Sequence, residues 1–313
     1  MKHEKKPARA GVVRTLLFVL LFAALFRAVS AVLEEKRYRD SMAAFYAEPR
    51  NSVDVLLLGS SHLHNGVSSP RLLERCGIRS NNFAQNGQVL PQTWFALQEA
   101  LRRQKPKVVV LDVYKVVQDT LINSRTAMHY TADHMRLGAP KLRMLWELLP
   151  AGERAEYLFD LIAYHTRWKE LTEADFAPPD TSGLGFEPLT GHYTPWEGWA
   201  VLPEEIKAPP AEIEIEYLDR IVSLCREEGI ELLLLTVPLT TPEEDELDRQ
   251  AVLNGMSDYA AEHGLPYLNL MHCAEEMGFD FMTDMADMYH VNARGAEKVT
   301  DYLGEYLLSH YSL

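Results

Sequence analysis

The stretch that decides the fold is Val53 to Pro70, VDVLLLGSSHLHNGVSSP. Its apolar run, Val53 and Val55 to Leu58 around Asp54, stops abruptly at Gly59-Ser60-Ser61-His62. A short apolar run with a β-branched start, bounded by glycine, reads as a buried strand feeding a tight turn. That turn lifts Ser61 off the end of a sheet. Near the other end of the chain, Asp287-Met288-Tyr289-His290-Val291-Asn292 supplies an acid and an imidazole just before the last helical pattern.

Working outward, strand and helix signals alternate. Ser69-Pro70 gives a hydroxyl cap and a first-turn proline, and Gly77 ends that helix. Ser80 to Ala84 reads as a second strand that closes in the turn signature Gln85-Asn86-Gly87, and a helix from about Pro91 to Arg103 follows. Lys107 to Val113 is the clearest buried strand. After residue 209 the pattern resumes with a helix over Ile213 to Glu228, a strand over Glu231 to Val237, a helix over Pro242 to His263, a strand over Pro266 to Leu270 and a last helix from about Ala293 to Ser309. Five strands alternating with helices predict an α/β protein of the flavodoxin-like three-layer type, with a five-stranded parallel sheet covered on both faces.

Residues 116–209 interrupt this rhythm between strands 3 and 4. They hold helical patterns around Lys141 to Leu149 and Glu156 to His165, then a Pro-, Gly- and Trp-rich passage from Pro178 to Pro210. So long a connection is expected to be an insertion lying over the carboxyl edge of the sheet. Trp196 and Trp199 are read first as packing the insertion onto the body, and second as stacking surfaces for sugar.

The first fifty residues differ from the rest. Lys2 to Arg14 is basic, and Thr15 to Phe26, TLLFVLLFAALF, is continuously apolar. Counted through Arg27 to Leu33, the segment is long enough to cross a bilayer at about 1.5 Å per residue, with Arg27 snorkelling toward headgroups. The basic end belongs inside, so the body lies outside the cytoplasm. The competing reading is a cleaved signal sequence, with small residues at Val29-Ser30-Ala31. Residues 34–47 are read as a charged spacer, so that 1–50 forms tail, anchor and spacer and 51–313 the α/β domain. Of 31 basic and 45 acidic residues, six basic and one acidic fall within 1–33, leaving 25 against 44. So acidic a body excludes a non-specific grip on nucleic acid and leaves the bilayer as the partner of the N-terminal segment.

In an open parallel sheet, function collects where loops leave the carboxyl ends of strands. Ser61 follows the first strand and His290 precedes the last helix, so both belong to that edge. A serine hydroxyl becomes nucleophilic when an imidazole takes its proton and an acceptor fixes the tautomer of that imidazole. This casts Ser61 as nucleophile, His290 as general base and then acid, and Asp287 as the orienting carboxylate. The amides of Ser61 and of the turn Ala84 to Gly87, with the Asn86 side chain, are candidate oxyanion donors. Asn292 is read as the cap of the final helix, and His62 and His64 as wall residues rather than catalysts. An Asp284, Asp287 and His290 metal set is weaker, because it leaves the serine turn unexplained. No metal or cofactor is expected. Cys76, Cys225 and Cys273 fit no metal spacing or even disulfide framework and read as small buried thiols, with one disulfide among them as the alternative.

A Gly-x-Ser turn after the first strand, paired with Asp-x-x-His before the last helix, resembles the SGNH (GDSL-like) hydrolase superfamily. More narrowly, GSSHLHNGVSSP and DMYHVNARGAEKVTDYL are similar to its membrane-anchored, DltD-like cell-surface acyl-transfer branch. The likeness covers roughly 53–114 and 212–310. It implies a serine esterase or O-acyltransferase acting on acyl esters of a cell-envelope polysaccharide, working beside a membrane-bound O-acyltransferase. Two positions depart from the family pattern. Ala84 stands where the second block usually has glycine, and Leu111-Asp112-Val113-Tyr114-Lys115 lacks the third block's asparagine. Asn86 or Tyr114 would then replace that donor. The departures also motivate a different class, a non-catalytic glycan binder using Trp168, Trp196 and Trp199.

Overall fold

The computed structural model describes residues 6–241 and 246–313. The Pro242 start of the helix expected at 242–263 and the basic residues Lys2 and Lys5 lie outside these. Two compact units are present, one of residues up to Lys36 with Gly152–Pro178, the other of Arg37–Ala151 with Pro179–Leu313.

The larger unit is built on five parallel strands in the order β2-β1-β3-β4-β5. These are β1 (Val55–Leu58), β2 (Ser80–Asn82), β3 (Val108–Asp112), β4 (Glu231–Thr236) and β5 (Tyr267–Asn269). Every residue of β1 and β3 is buried, which is why both read as unbroken apolar runs rather than alternating ones. Register pairs Val55 with Val108 and Val108 with Glu231. One face of the sheet, with Val55, Leu57, Val108, Val110, Leu233 and Leu235, packs on the apolar stripe of the last helix at Val299, Leu303 and Leu307. At about 1.5–3 kcal/mol for each fully buried aliphatic side chain, this layer is a main source of stability.

The helices of this unit are α2 (Arg39–Ala47), α3 (Ser61–Gly66), α4 (Ser69–Cys76), α5 (Leu90–Leu101), α6 (Arg125–Ala132), α7 (Ala139–Leu148), α9 (Glu212–Glu228), α10 (Glu246–His263) and α11 (Ala293–His310). α3 and α4 pack with α11, whereas α5 packs with α7 and α9. Helices therefore cover both faces, and the three-layer α/β fold read from the sequence is the one observed. Strand order reverses at β1, which lies between β2 and β3, and the edge above β1 and β3 is where a site is expected. Gly59 makes the junction possible. Its φ is +136°, and a Cβ there would sit 2.6 Å from Cβ of Asp112.

α2 buries Met42, Ala44 and Phe45, and the Phe45 ring lies 4.4 Å from that of Phe83. The charged residues of this segment masked three apolar ones at helical spacing. All three cysteines are free, and only Cys225 is fully buried.

The insertion divides between the units. Its later part lies over the carboxyl edge as expected: the N–H of Asn82 donates to Leu184 O, that of Glu187 to His64 O, that of Tyr193 to Met285 O and that of Ala293 to Leu189 O. Residues 152–178 belong to the smaller unit, with the N-terminal helix. In that smaller unit, α1 (Lys6–Leu33) packs with α8 (Asp160–Tyr164), and the helix expected over 156–165 is confined to those five residues and a 3-10 turn. Arg167 donates to the carbonyls of Leu33 and Glu34 at 2.8 and 2.5 Å, occupying acceptors that the end of α1 leaves open, and pairs with Asp175 at 2.8 Å. Ala10–Leu33 of α1 is long and apolar enough to cross a membrane, and a signal sequence meets the same description.

Candidate active site

The serine turn is built from the inside. Ser61 is the first residue of α3, so its N–H has no partner within that helix. Ser60, just before it, caps the helix by accepting from the His62 N–H at 3.4 Å. Ser60 is in turn clamped by Asp112 at the end of β3. One carboxylate oxygen accepts from both the N–H (3.1 Å) and the hydroxyl (2.5 Å) of Ser60, and the other accepts from the Tyr114 N–H at 2.9 Å. Burial pushes the Asp112 carboxyl above its ordinary range, and these hydrogen bonds oppose that shift.

The histidine loop is built differently. A Met285–Val291 bridge closes it, and the Ala286 N–H donates to His290 O at 2.8 Å. Asp287 Oδ1 accepts from the N–H groups of Tyr289 and His290, at 2.8 and 2.9 Å. Asp287 also faces its own target, with His290 Nδ1 at 2.9 and 3.0 Å from its two oxygens. Half-burial pushes this carboxyl up, but the imidazole and the two amides outweigh it and leave it below the ordinary range. The Met288 carbonyl accepts from the N–H and hydroxyl of Thr240 past the end of β4, which ties the loop to the sheet edge. Asn292 caps α11 through the Gly295 N–H at 3.0 Å.

The two constructions meet. His290 Nε2 lies 2.7 Å from Ser61 Oγ, across 229 residues of chain. With Nδ1 turned to Asp287, Nε2 is the nitrogen free to accept the serine proton, the arrangement that activates a hydroxyl toward an acyl carbon. Ser61 and His290 are half-buried and the Asp287 side chain is 51% exposed, so the line of groups opens at the surface.

The candidate oxyanion donors fare unequally. The Ala84 N–H already donates to Asn82 Oδ1 at 3.2 Å, and the Asn86 N–H to the Tyr38 hydroxyl at 2.8 Å. Asn86 Oδ1 is buried with no hydrogen-bond partner among the described residues. Gly87 has φ +70°, and a side chain at that position would press on Asn123 and Ala127. The Tyr114 hydroxyl accepts from Arg249 at 2.8 Å and keeps its own proton to donate. Its ring stacks on His62 at 3.7 Å, and the His62 ring lies 5.1 Å from that of His290. Burial, followed by the charges of His290, Lys115 and Arg249, drives His62 well below its usual value, so it stands neutral beside the reacting pair. His64 turns away to Glu187 at 3.3 Å.

Of the tryptophans, Trp196 donates to Thr241 O at 3.1 Å and Trp199 packs on Phe281 at 4.7 Å, so both fasten the insertion to the body. Trp168 is 63% exposed and belongs to the smaller unit. Asp284 does not join Asp287 and His290. It is buried between Arg294 and Lys298, at 3.1 and 2.6 Å, and no group of three metal-ligating side chains converges among the described residues.

Sequence reasoning missed Asp112 as the clamp on the serine turn and Tyr38 as a neighbour of the Asn86 loop. The signal for the first was available: one acid ending a strand otherwise wholly apolar needs partners. Tyr38 carried none, being one aromatic in a charged run.

No family model matches the sequence, and no curated protein matches it. Among solved structures, a GDSL-like lipase from Bacteroides thetaiotaomicron is 13% identical with a TM-score of 0.42, over 88% of this chain and 98% of that chain. An alpha/beta hydrolase enzyme from the metagenome of Lake Arreo is 12% identical with a TM-score of 0.41, over 84% and 98%. A Clostridium thermocellum family 3 carbohydrate esterase is 14% identical with a TM-score of 0.39, over 82% and 96%.

Proposed function

We propose that the chain is a serine esterase or O-acyltransferase of the SGNH class, of its DltD-like membrane-anchored branch. Its N-terminal helix holds the catalytic unit outside the cytoplasm. The supporting observation is the 2.7 Å approach of His290 Nε2 to Ser61 Oγ, with Asp287 on the far nitrogen. In this reading Ser61 Oγ bonds to the acyl carbon as its proton passes to His290 Nε2. The carbon–oxygen bond to the leaving alcohol then breaks, and that alcohol takes the proton from Nε2. Water, or a hydroxyl of an envelope polymer, next gives its proton to His290 and attacks the acyl carbon. The acyl–Ser61 bond breaks, and Oγ recovers the proton. The Ser61 N–H, the Gly87 N–H and the Asn86 side chain are the donors we assign to the oxyanion, because the Ala84 and Asn86 amides are engaged elsewhere. A membrane-bound acyl donor would supply the acyl group in the transferase variant.

The test is labelling with a fluorophosphonate, which requires an activated serine. We expect one covalent adduct per chain at Ser61 by mass spectrometry, and none in Ser61→Ala. Folded wild-type protein that stays unlabelled would refute the reading.

A further inference from the structure

Tyr38 is the second residue of the larger unit, directly after the segment that continues from α1. It is one of three non-glycine residues with positive φ among the described residues, at +65°. That conformation is disfavoured for an L-residue and persists only where the surroundings impose it. The surroundings are specific. Tyr38 is 5% exposed, and its ring packs at 4.8 Å on His64 of α3, the helix that Ser61 opens. On another side it meets Tyr130 at 5.0 Å, and the Arg37 guanidinium lies over both tyrosine rings.

The hydroxyl reaches further. It accepts the Asn86 N–H at 2.8 Å, in the turn that follows β2. The neighbouring amide, Gln85 N–H, donates at 3.0 Å to the carbonyl of Gly59, which precedes Ser60 and Ser61. The turn 85–87 is therefore pinned on one side to the serine turn and on the other to Tyr38. Two successive amides pointed at fixed acceptors set the planes of the peptides on either side of Gln85, and with them the position of Asn86 and Gly87.

We infer that Tyr38 is a positioning residue for the proposed acyl transfer: its hydroxyl fixes the 85–87 turn so that the oxyanion donors there are preorganised against Ser61. The inference rests on the esterase reading. Preorganised donors stabilise a developing oxyanion because they need no reorientation as charge appears. One consequence concerns the boundaries of the enzyme. A catalytic unit cut at residue 51 keeps Ser61, Asp287 and His290 but loses this brace.

The experiment uses the full chain in detergent and the variant Tyr38→Phe, which keeps the ring against His64 and Tyr130 and removes the hydroxyl that serves the Asn86 N–H and Arg37. Two readouts are taken, kcat and KM with 4-nitrophenyl acetate and amide hydrogen exchange resolved to residues 84–88. We expect kcat to fall about tenfold with KM within about twofold, less than the roughly 100-fold or more that follows loss of an oxyanion donor itself. We also expect faster exchange confined to the turn. Unchanged exchange at 84–88, or an unchanged kcat in a wild-type enzyme that turns over, overturns the inference, as does a loss of protection spread evenly over the fold. If wild-type protein shows neither turnover nor fluorophosphonate labelling, the esterase reading fails instead, and the exchange readout still decides whether Tyr38 holds the turn.

Discussion

Ser61 and His290 arrive at one hydrogen bond from unlike supports. The serine side is cross-braced through the interior: Asp112 on β3 holds Ser60, Ser60 caps α3, and Gly59 permits the contact because it has no side chain. The histidine side is a surface loop organised by its own acid, with Asp287 accepting two backbone amides of its loop and the imidazole it orients. Asp112 is 1% exposed, whereas the Asp287 side chain is 51% exposed. A carboxylate that works in the interior interacts strongly and is hard to replace, while one at the surface shares its field with water. Removing the histidine side should therefore cost chemistry and leave the fold intact. Removing the serine-side brace should cost fold and chemistry together.

The largest effect tests the point where the supports meet. His290→Ala removes the proton acceptor of Ser61 and should lower kcat/KM by on the order of 10⁴ or more. The melting temperature should stay within about 2 °C, because a half-buried loop residue leaves. Asp287→Asn should cost less, about 100-fold, since a half-exposed carboxylate holds the tautomer with less electrostatic force than a buried one, whose loss costs about 10⁴. Equal losses for the two variants would show that exposure does not weaken Asp287, and the contrast drawn above would fail.

Asp112→Asn tests the other support. An amide has one acceptor oxygen where the carboxylate serves three donors from Ser60 and Tyr114, so at least one buried donor is left without its partner. The expected cost is about 1–3 kcal/mol of stability, read as a lower midpoint in urea with unchanged slope. Labelling of Ser61 by fluorophosphonate should slow at the same time. Slowed labelling at unchanged stability would mean that Asp112 acts on the nucleophile without bracing the turn.

What was legible in the sequence follows the same divide. The strands β1, β3 and β4 were plain because buried parallel strands are apolar on both faces and nothing else of that length is. The serine turn and the Asp287-x-x-His290 loop were plain because each is local, with its meaning contained in a few adjacent residues. The contacts that join distant segments were not. Asp112 reaching Ser60, and Tyr38 reaching Asn86, depend on which strand ends lie side by side, and periodicity carries no information about that.

The smallest effect separates the two sides by pH. Glu214, at the start of α9, is wholly buried and accepts the Leu90 N–H at 2.8 Å, where α5 begins. Burial raises its carboxyl to about 8, against the pull of that N–H and of Lys115. A carboxyl with a raised folded value favours the folded state most fully below its unfolded value near 4.5, and that contribution declines as pH climbs from about 4.5 to 8. Asp287 has the opposite sign, because its folded value is depressed; its contribution is present above its unfolded value of about 3.8 and is lost as pH falls through the folded value. Glu214→Gln keeps an oxygen for the Leu90 N–H and cannot ionise. It should leave the melting temperature at pH 5 within about 1 °C of wild type and raise it by a few degrees at pH 8.5. Asp287→Asn should do neither, and should narrow the gap from wild type only below about pH 4. A Glu214→Gln curve parallel to wild type from pH 5 to 8.5 would mean that the buried side of the molecule holds Glu214 ionised, most directly through Lys115, and that its interior is less costly to charge than its burial implies.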